Sequence, residues 1–172
     1  MKVLVTVASR HGSTSMIGDA IREELVATGV TAYLAEPEQV ADVGQYDAVV
    51  IGSAVYAGRW LKPARKFARR FQAQLVRKPV WLFSSGPLGI PPKPTEPPAD
   101  ALELAHRIHA RDHQMFEGRL ERDVLSFGER LRMVGAPSGD FRPWVAVTIW
   151  ARSISASLRS EHRELAASAG TA

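Results

Sequence analysis

The stretch Val3-Leu4-Val5-Thr6-Val7-Ala8-Ser9-Arg10-His11-Gly12-Ser13-Thr14 decides the fold. Residues 3–8 form a nearly continuous apolar run, which is typical of a strand buried on both faces of a sheet. A short polar turn follows. Apolar residues at helical spacing then predict a helix from about Ser13 to Thr28, with Gly29 at the position of a C-cap glycine. A buried strand that turns directly into a helix is typical of a parallel α/β sheet.

The same alternation continues along the chain. Further strands are predicted at about Thr31–Leu34, Ala48–Ile51, Val80–Phe83 and Met115–Leu120. Further helices are predicted at about Pro63–Val76, Ala99–Arg111, Arg122–Val134 and 143–165. Five strands in this pattern predict an α/β doubly wound sandwich: a flavodoxin-like parallel sheet of order 2-1-3-4-5 with helices on both faces.

The length of 172 residues predicts one domain spanning residues 1–172. The chain has no cysteine, which excludes disulfides, thiolate metal sites and cysteine nucleophiles. Its apolar runs are too short for a membrane span or a signal peptide, so we expect a cytoplasmic protein. Six of the eleven prolines fall within residues 86–98, which predicts a long surface loop there.

Ligands of such sheets bind beyond the carboxyl ends of the strands, where three predicted loops meet. The first loop runs from Ser9 to Thr14 and opens into a helix. Backbone N–H groups, the helix dipole and hydroxyl side chains make it suitable for a phosphate monoester. It matches neither the P-loop nor the Gly-x-Gly-x-x-Gly pattern. The alternative is that Ser13 or Thr14 simply caps the helix.

The second loop, Gly52–Trp60, joins small residues to two aromatic ones, Tyr56 and Trp60. Such a loop suits a flat ring, although both aromatics would serve equally well as packing residues. The third loop, Ser84–Leu88, offers backbone N–H groups for the edge of a heterocycle, and a plain turn has the same composition.

Together the three loops resemble those of flavodoxin-like FMN-binding domains. More narrowly, the chain resembles the branch that includes the menaquinone-dependent protoporphyrinogen oxidases. The resemblance rests on Ala8–Thr14, Gly52–Gly58 and Gly86. Two later segments add weaker support: Phe116-Glu117-Gly118-Arg119-Leu120 and Gly139-Asp140-Phe141-Arg142-Pro143-Trp144.

The resemblance implies FMN as the cofactor, with the first loop at its phosphate and the other two loops on either side of its ring system. The implied cofactor-binding residues are Ser9, Arg10, His11, Gly12, Ser13, Thr14, Ser53, Ala54, Val55, Tyr56, Ala57, Gly58, Ser84, Ser85, Gly86, Pro87 and Leu88. The third loop lacks the aromatic residue that typical flavodoxins place there. One face of the flavin would then be open or covered by Leu88, which suits a substrate or quinone.

The resemblance therefore implies an FMN-dependent oxidoreductase that oxidises a porphyrinogen-type substrate, as in heme biosynthesis, and passes electrons to a quinone. The chemistry would reside on the flavin, so no separate catalytic acid or base is assigned. A non-enzymatic electron carrier between protein partners is the first alternative. An NAD(P)H:quinone reductase and a binding domain that has lost its flavin are further alternatives.

The positive charge is concentrated in one segment. Residues 59–78 hold eight basic residues and no acidic one, although the whole chain has a net charge of only +4. A helical wheel predicts one cationic face, made of Lys62, Arg65, Lys66, Arg69 and Arg70, with no acid nearby in sequence. Electron-transfer flavodoxins usually carry acidic residues around the flavin, so this sequence resembles the opposite case.

An anionic membrane, an acidic reductase or the acid groups of a substrate would each suit this face, as would plain solvent. No recognition motif accompanies it, which disfavours nucleic acid.

Two other patterns have ordinary explanations. His109 and His113 lie four residues apart near the end of a predicted helix, as metal ligands sometimes do. No carboxylate accompanies them in a known ligand pattern, so solvated or cap-associated histidines are expected and no metal site is assigned. The last predicted helix carries one apolar stripe, expected to pack in the core or else to face a membrane: Trp144, Trp150, Ile154 and Leu158.

Overall fold

The computed structural model describes residues 1–86, 96–120 and 139–169. In chain order, its elements are β1 (Lys2–Ala8), α1 (Ser13–Ala27), β2 (Thr31–Ala35), β3 (Ala48–Tyr56), β4 (Arg59–Trp60), α2 (Lys62–Arg70), α3 (Gln72–Leu75), β5 (Val80–Gly86), α4 (Ala99–Arg107), β6 (Asp112–Glu117), β7 (Arg119–Leu120), β8 (Gly139–Asp140) and α5 (Trp144–Ala169). The predicted alternation of strands and helices is thus present in the described chain.

Five parallel strands form the main sheet in the order β2-β1-β3-β5-β6. The short strand β4 pairs antiparallel with the end of β3 and does not interrupt this order. Counting only the parallel strands gives the order 2-1-3-4-5, which confirms the prediction. The order reverses between β1 and β3, so the crevice in which such sheets bind ligands begins at the carboxyl ends of these two strands.

Side chains alternate between the two faces of the sheet and build two apolar layers. On one face, β1 residues Val3, Val5 and Val7 pack against α1 and α5. On the other face, Leu4 and its neighbours pack against α2, α3 and α4. The central strands β1, β3 and β5 are therefore buried on both faces, which explains their continuous apolar runs.

Two strands extend further than predicted. β3 continues to Tyr56 and β5 to Gly86, although the sequence suggested ends at Ile51 and Phe83. Gly52 lies within β3 because the ring of Phe83 crosses it: a Cβ atom at Gly52 would lie 2.1 Å from Phe83 Cζ. β6 spans 112–117, so the predicted strand at 115–120 began three residues late.

The helices also differ in detail. α1 and its Gly29 cap are confirmed: Gly29 has φ +86° and donates its N–H to Val26 O at 2.9 Å. The helix predicted over 63–76 is divided at Phe71 into α2 and α3. The predicted helix 122–134 and residues 87–95 of the proline-rich loop lie outside the described residues.

Along α5, Trp150, Ile154 and Leu158 are buried, which confirms core packing for most of the stripe. Trp144 is 39% exposed, so its assignment to the core was wrong. No helix within the described ranges is long and apolar enough to cross a membrane.

Candidate functional site

The loop between β1 and α1 is shaped by its backbone. Gly12 is the N-cap of α1 with φ +80°, and its carbonyl accepts the N–H of Met16 at 3.1 Å. Ser13 and Thr14 are the first two residues of α1 and do not hold its N-cap position, so the alternative that one of them merely caps the helix is wrong. A left-handed glycine before a helix start leaves the N-terminal N–H groups directed at the loop, where they and the helix dipole favour an anion.

The second segment is a hairpin rather than a loop. β3 runs to Tyr56 and turns through Ala57 and Gly58 into β4, with Tyr56 paired to Arg59. The central residues have φ values of +49° and +70°, as a two-residue type I′ turn requires. The prediction of a loop over 52–60 was therefore wrong for all but these two residues.

Tyr56 brings the two segments together. The guanidinium carbon of Arg10 lies 5.4 Å from the centre of the Tyr56 ring. The ring of His11 lies 6.3 Å from it, centre to centre. Residues predicted for the phosphate and for the flavin ring, more than forty positions apart in sequence, thus meet at the carboxyl edge of the sheet.

The base of the hairpin is held by polar side chains. The buried Ser53 hydroxyl accepts the backbone N–H of Leu61 at 2.9 Å and donates to the Ala54 carbonyl at the same distance. The backbone N–H of Trp60 donates to a carboxylate oxygen of Asp100 at 3.2 Å. Ser53 and Ala54 are thus buried in the sheet, while Val55 and Tyr56 are half-buried closer to the turn.

The third predicted segment is also strand. Ser84 and Ser85 are buried within β5, and Gly86 ends it. The prediction of a loop beginning at Ser84 was therefore wrong for residues 84–86. Pro87 and Leu88 lie outside the described residues.

Ser84 lies at the centre of a buried polar network that the sequence did not reveal. Its Oγ accepts the indole N–H of Trp60 at 2.7 Å and lies 2.9 Å from His113 Nε2. Because an indole nitrogen only donates, the Ser84 hydroxyl hydrogen is available for His113 Nε2. The other ring nitrogen of His113, Nδ1, is buried and has no hydrogen-bond partner among the described residues.

Burial lowers the pKa of His113 to about 4, and the nearby Asp112 carboxylate offsets this only in part. His113 is therefore neutral near pH 7. It lies in β6, whereas His109, with φ +53°, lies just beyond the C-cap of α4, so the idea that the two share a helix face was wrong. No group of side chains within residues 1–86, 96–120 and 139–169 is arranged to hold a metal ion.

Trp60 is buried against α2 and α4, and its ring meets that of His113 edge to face. It is therefore a packing residue, and Tyr56 is the aromatic side chain that faces the first loop. Adjacent residues of a strand point to opposite faces, so the alternation of the charged Arg59 with Trp60 could have indicated that Trp60 points inward. In the structure Arg59 is exposed and Trp60, which pairs with Val55, is buried.

Residues 139–142, late in the chain, also lie beside the start of α1. Phe141 donates its N–H to Gly118 O at 3.3 Å, and β7 pairs with β8. The Arg142 side chain, only 2% exposed, pairs with Asp140 at 2.5 Å, while its Nη1 lies 3.1 Å from Met16 Sδ. A guanidinium thus ties residues 139–142 to the first turn of α1.

The described fold resembles several solved structures. Rubredoxin oxygen:oxidoreductase from Desulfovibrio gigas matches with a TM-score of 0.64 and 14% identity over 92% of this chain. The match spans only 36% of that enzyme's chain. A cysteine-to-serine mutant of a flavodoxin from Pseudomonas aeruginosa matches with a TM-score of 0.59 and 13% identity, over 92% of this chain and 99% of its own.

Two-electron reduced Megasphaera elsdenii flavodoxin matches with a TM-score of 0.56 and 21% identity, over 66% of this chain and 84% of its own. At these identities the likeness concerns the fold. No curated protein matches the chain. A family model of the flavodoxin domain matches residues 4–135, which include both meeting segments. The chain therefore belongs to the flavodoxin-domain family, and this membership indicates a flavin-linked redox function.

Proposed function

We propose that this protein binds FMN at the carboxyl edge of its sheet and acts as a flavin-dependent redox protein. The observation that carries the proposal is the meeting of the Gly12 helix start with Tyr56, through Arg10 and His11. It combines an anion-binding helix start with an aromatic side chain at the switch point of the sheet. When bound, the flavin would supply the hydride or electron transfer.

The residues present fit this cofactor. Gly12 has open space around it, since a Cβ atom there would meet no other atom within 4 Å. In the proposal, residues 9–14 hold the phosphate, residues 53–58 line one side of the ring system, and residues 84–88 line the other. Arg10 is exposed and adds positive charge beside the helix start.

The proposal is tested by titrating the purified protein with FMN and with riboflavin, following flavin fluorescence. Because the helix start recognises the phosphate, we expect FMN to bind at least tenfold more tightly than riboflavin. A matched pair of variants locates the site. Gly12→Val should weaken FMN binding. Gly29→Val changes another left-handed glycine, at the far end of α1, and should leave FMN binding unchanged. Equal affinity for the two flavins would contradict the phosphate site.

For the substrate, we propose a porphyrinogen-type compound with a quinone as electron acceptor. The support is the narrower sequence resemblance, together with the contact between the two segments that carry it, 116–120 and 139–144. Arg142 places the second of these against the proposed phosphate site. Turnover of protoporphyrinogen with a menaquinone analogue tests this directly. Absence of turnover by the FMN-loaded protein would reject the substrate and leave the FMN site untouched.

A non-enzymatic electron carrier is the second candidate, favoured by the exposed cations of α2 beside the site. A carrier would exchange electrons with protein partners without turning over a small substrate. A redox titration that resolves separate one-electron steps, combined with no turnover of porphyrinogen or NAD(P)H, would favour the carrier. Binding of anionic vesicles that depends on these cations would instead favour contact with a membrane.

A further inference from the structure

The five cations of α2 fall into two groups. Arg65 and Arg70 are engaged by the protein itself. Arg65 Nε lies 3.6 Å from Asp100 Oδ2. Arg70 donates to the carbonyl of Ala41 at 3.2 Å and lies over the ring of Phe71. These two arginines therefore flank the helix on opposite sides and are held close to its neighbours.

Lys62, Lys66 and Arg69 form the second group, here called the cationic stripe. All three are exposed, and none makes an ion pair or hydrogen bond with any residue in the described ranges. Their spacing of four and then three positions places them in one row along the helix. At 1.5 Å per residue the row is about 10 Å long. The stripe is thus the outer ridge of α2, between the two engaged arginines.

The stripe begins beside the candidate site. Lys62 is the first residue of α2 and follows β4 with one residue between them. In β4, the exposed Arg59 is paired with Tyr56, which contacts the first loop. A row of positive charge therefore leads from the proposed flavin site along the surface.

Two acids that are distant in sequence approach this row in the fold. Asp100 and Glu103 of α4 line the same groove as Arg65, Arg69 and Arg107. Both have partners: Asp100 accepts the N–H of Trp60, and Glu103 pairs with Arg107 at 2.7 Å. The stripe itself is not neutralised by them.

We propose that the cationic stripe is the docking surface for an acidic redox protein, a partner whose carboxylates face Lys62, Lys66 and Arg69. This inference rests on the proposed function. Two electrons leave the reduced, FMN-loaded protein and reduce two equivalents of a one-electron acceptor, and the accompanying protons pass to solvent. Complementary charge accelerates the encounter by about 10- to 1000-fold at low salt.

The distribution of apolar side chains favours a protein over a lipid surface. Helices that lie on membranes combine cations with inserted apolar residues. In α2, α3 and α4, all of whose residues are described, Leu102 is the one exposed large apolar side chain. Trp144, Val145 and Ile149 are exposed on α5, which packs on the other face of the sheet.

The test measures how fast charged acceptors oxidise the FMN-loaded protein after reduction with one equivalent of dithionite. Ferricyanide carries three negative charges, and hexaammineruthenium(III) carries three positive charges. The stripe variant combines Lys62→Gln, Lys66→Gln and Arg69→Gln. The control variant combines Lys2→Gln, Arg77→Gln and Arg163→Gln, which removes the same charge from exposed positions away from the site.

We expect the stripe variant to react with ferricyanide about tenfold more slowly than the control at 10 mM ionic strength. It should react with hexaammineruthenium(III) at least as fast as the control. Both differences should shrink toward zero at about 0.5 M salt because the charges are then screened. Equal ferricyanide rates for the two variants would overturn the docking surface.

The class of partner is tested with poly-L-glutamate and with phosphatidylglycerol vesicles. Stripe-dependent retention on poly-L-glutamate, with no stripe-dependent sedimentation with the vesicles, supports an acidic protein. The reverse pattern would overturn it in favour of a membrane. A failure of the proposed FMN site is distinguished from a failure of the docking surface by absorbance. A protein that takes up no FMN lacks the flavin spectrum before any acceptor is added.

Discussion

The two segments that meet at the candidate site are built in opposite ways. The β1–α1 loop depends on its backbone, because the N-cap of the helix is Gly12, which has no side chain and adopts φ +80°. The β3–β4 hairpin depends on side chains, because Ser53, Ser84 and Asp100 all bond to its base. The conformation of the first segment is set at Gly12, with Arg142 adding a contact from the late chain, whereas the hairpin is held by residues from β3, β5 and α4.

This difference predicts different sensitivities. The first loop should respond chiefly to changes at Gly12. The hairpin should respond to changes in strands and helices that never touch a ligand, because they fix the position of Trp60. The conformation of the loop thus depends on one residue within it, whereas the position of the hairpin depends on the packed core.

The largest expected effect is at the hairpin. Trp60→Ala removes a buried indole and leaves Ser84 without its donor, so we expect the free energy of unfolding to fall by about 3–5 kcal/mol. Urea unfolding followed by circular dichroism measures the loss. Trp144→Ala is the matched control, since this tryptophan is 39% exposed, and it should cost less than about 1 kcal/mol. Equal losses would contradict the anchoring role of Trp60.

The next effect is at Gly12. A Cβ atom there meets no neighbour, so Gly12→Ala should cost only the backbone strain of a left-handed residue, about 1–2 kcal/mol. Gly12→Asn should recover part of this loss because asparagine tolerates that conformation. Urea unfolding without flavin checks both variants. If alanine and asparagine were equally harmless, the loop would not depend on this backbone conformation.

A smaller, pH-dependent effect is expected from His113, whose pKa burial lowers to about 4. Between pH 6.5 and 4 the unfolded chain binds a proton at this residue that the folded chain does not. Stability therefore falls as pH drops through this window. We expect about 1 kcal/mol, because the imidazole is only half-buried and solvent screens part of the effect.

Urea unfolding at pH 7.5 and 4.5 measures the loss. His113→Gln should reduce the difference between the two pH values. His162→Gln changes an exposed histidine of α5 and should leave the difference intact. A pH dependence that persists unchanged in His113→Gln would assign it to other groups.

The smallest effect is at the hairpin turn, where Ala57 has φ +49°. Ala57→Asn creates the Asn-Gly pair that type I′ turns prefer, and we expect a gain of about 0.5–1 kcal/mol. Ala57→Val should lose stability, since β-branched residues avoid this region. Thermal unfolding of the three proteins should rank them Asn, Ala, Val, and any other order would argue against a strained turn.

The order of strands and helices could be predicted from the sequence because apolar runs and capping residues are local signals. The first loop could also be predicted, since a short polar turn that contains Gly12 connects a buried strand to a helix. The end of β3 was not, because Gly52 suggests a turn until the Phe83 ring is known to cross it. Pairing with β4 and β5 then carries the strand on to Tyr56.

The polar network of Trp60, Ser84 and His113 could not be predicted from the sequence for a similar reason. Trp60, Ser84 and His113 come from three different strands, and only the register of β5 with β6 brings the last two together. The acids beside α2 were missed because Asp100 and Glu103 lie on another helix some forty positions later. Long-range register and helix packing, which leave no local pattern, therefore decide these features.

The amide spectrum of the ¹⁵N-labelled protein, recorded with and without FMN, tests most directly whether the two segments form one flavin site. We expect the largest shifts at residues 10–14 and 56–58, in the loop and the hairpin turn. Residues at the opposite edge, such as Lys2 and Arg77, should stay unchanged. Absence of shifts, or shifts confined to one of the two segments or to the opposite edge, would contradict a shared FMN site.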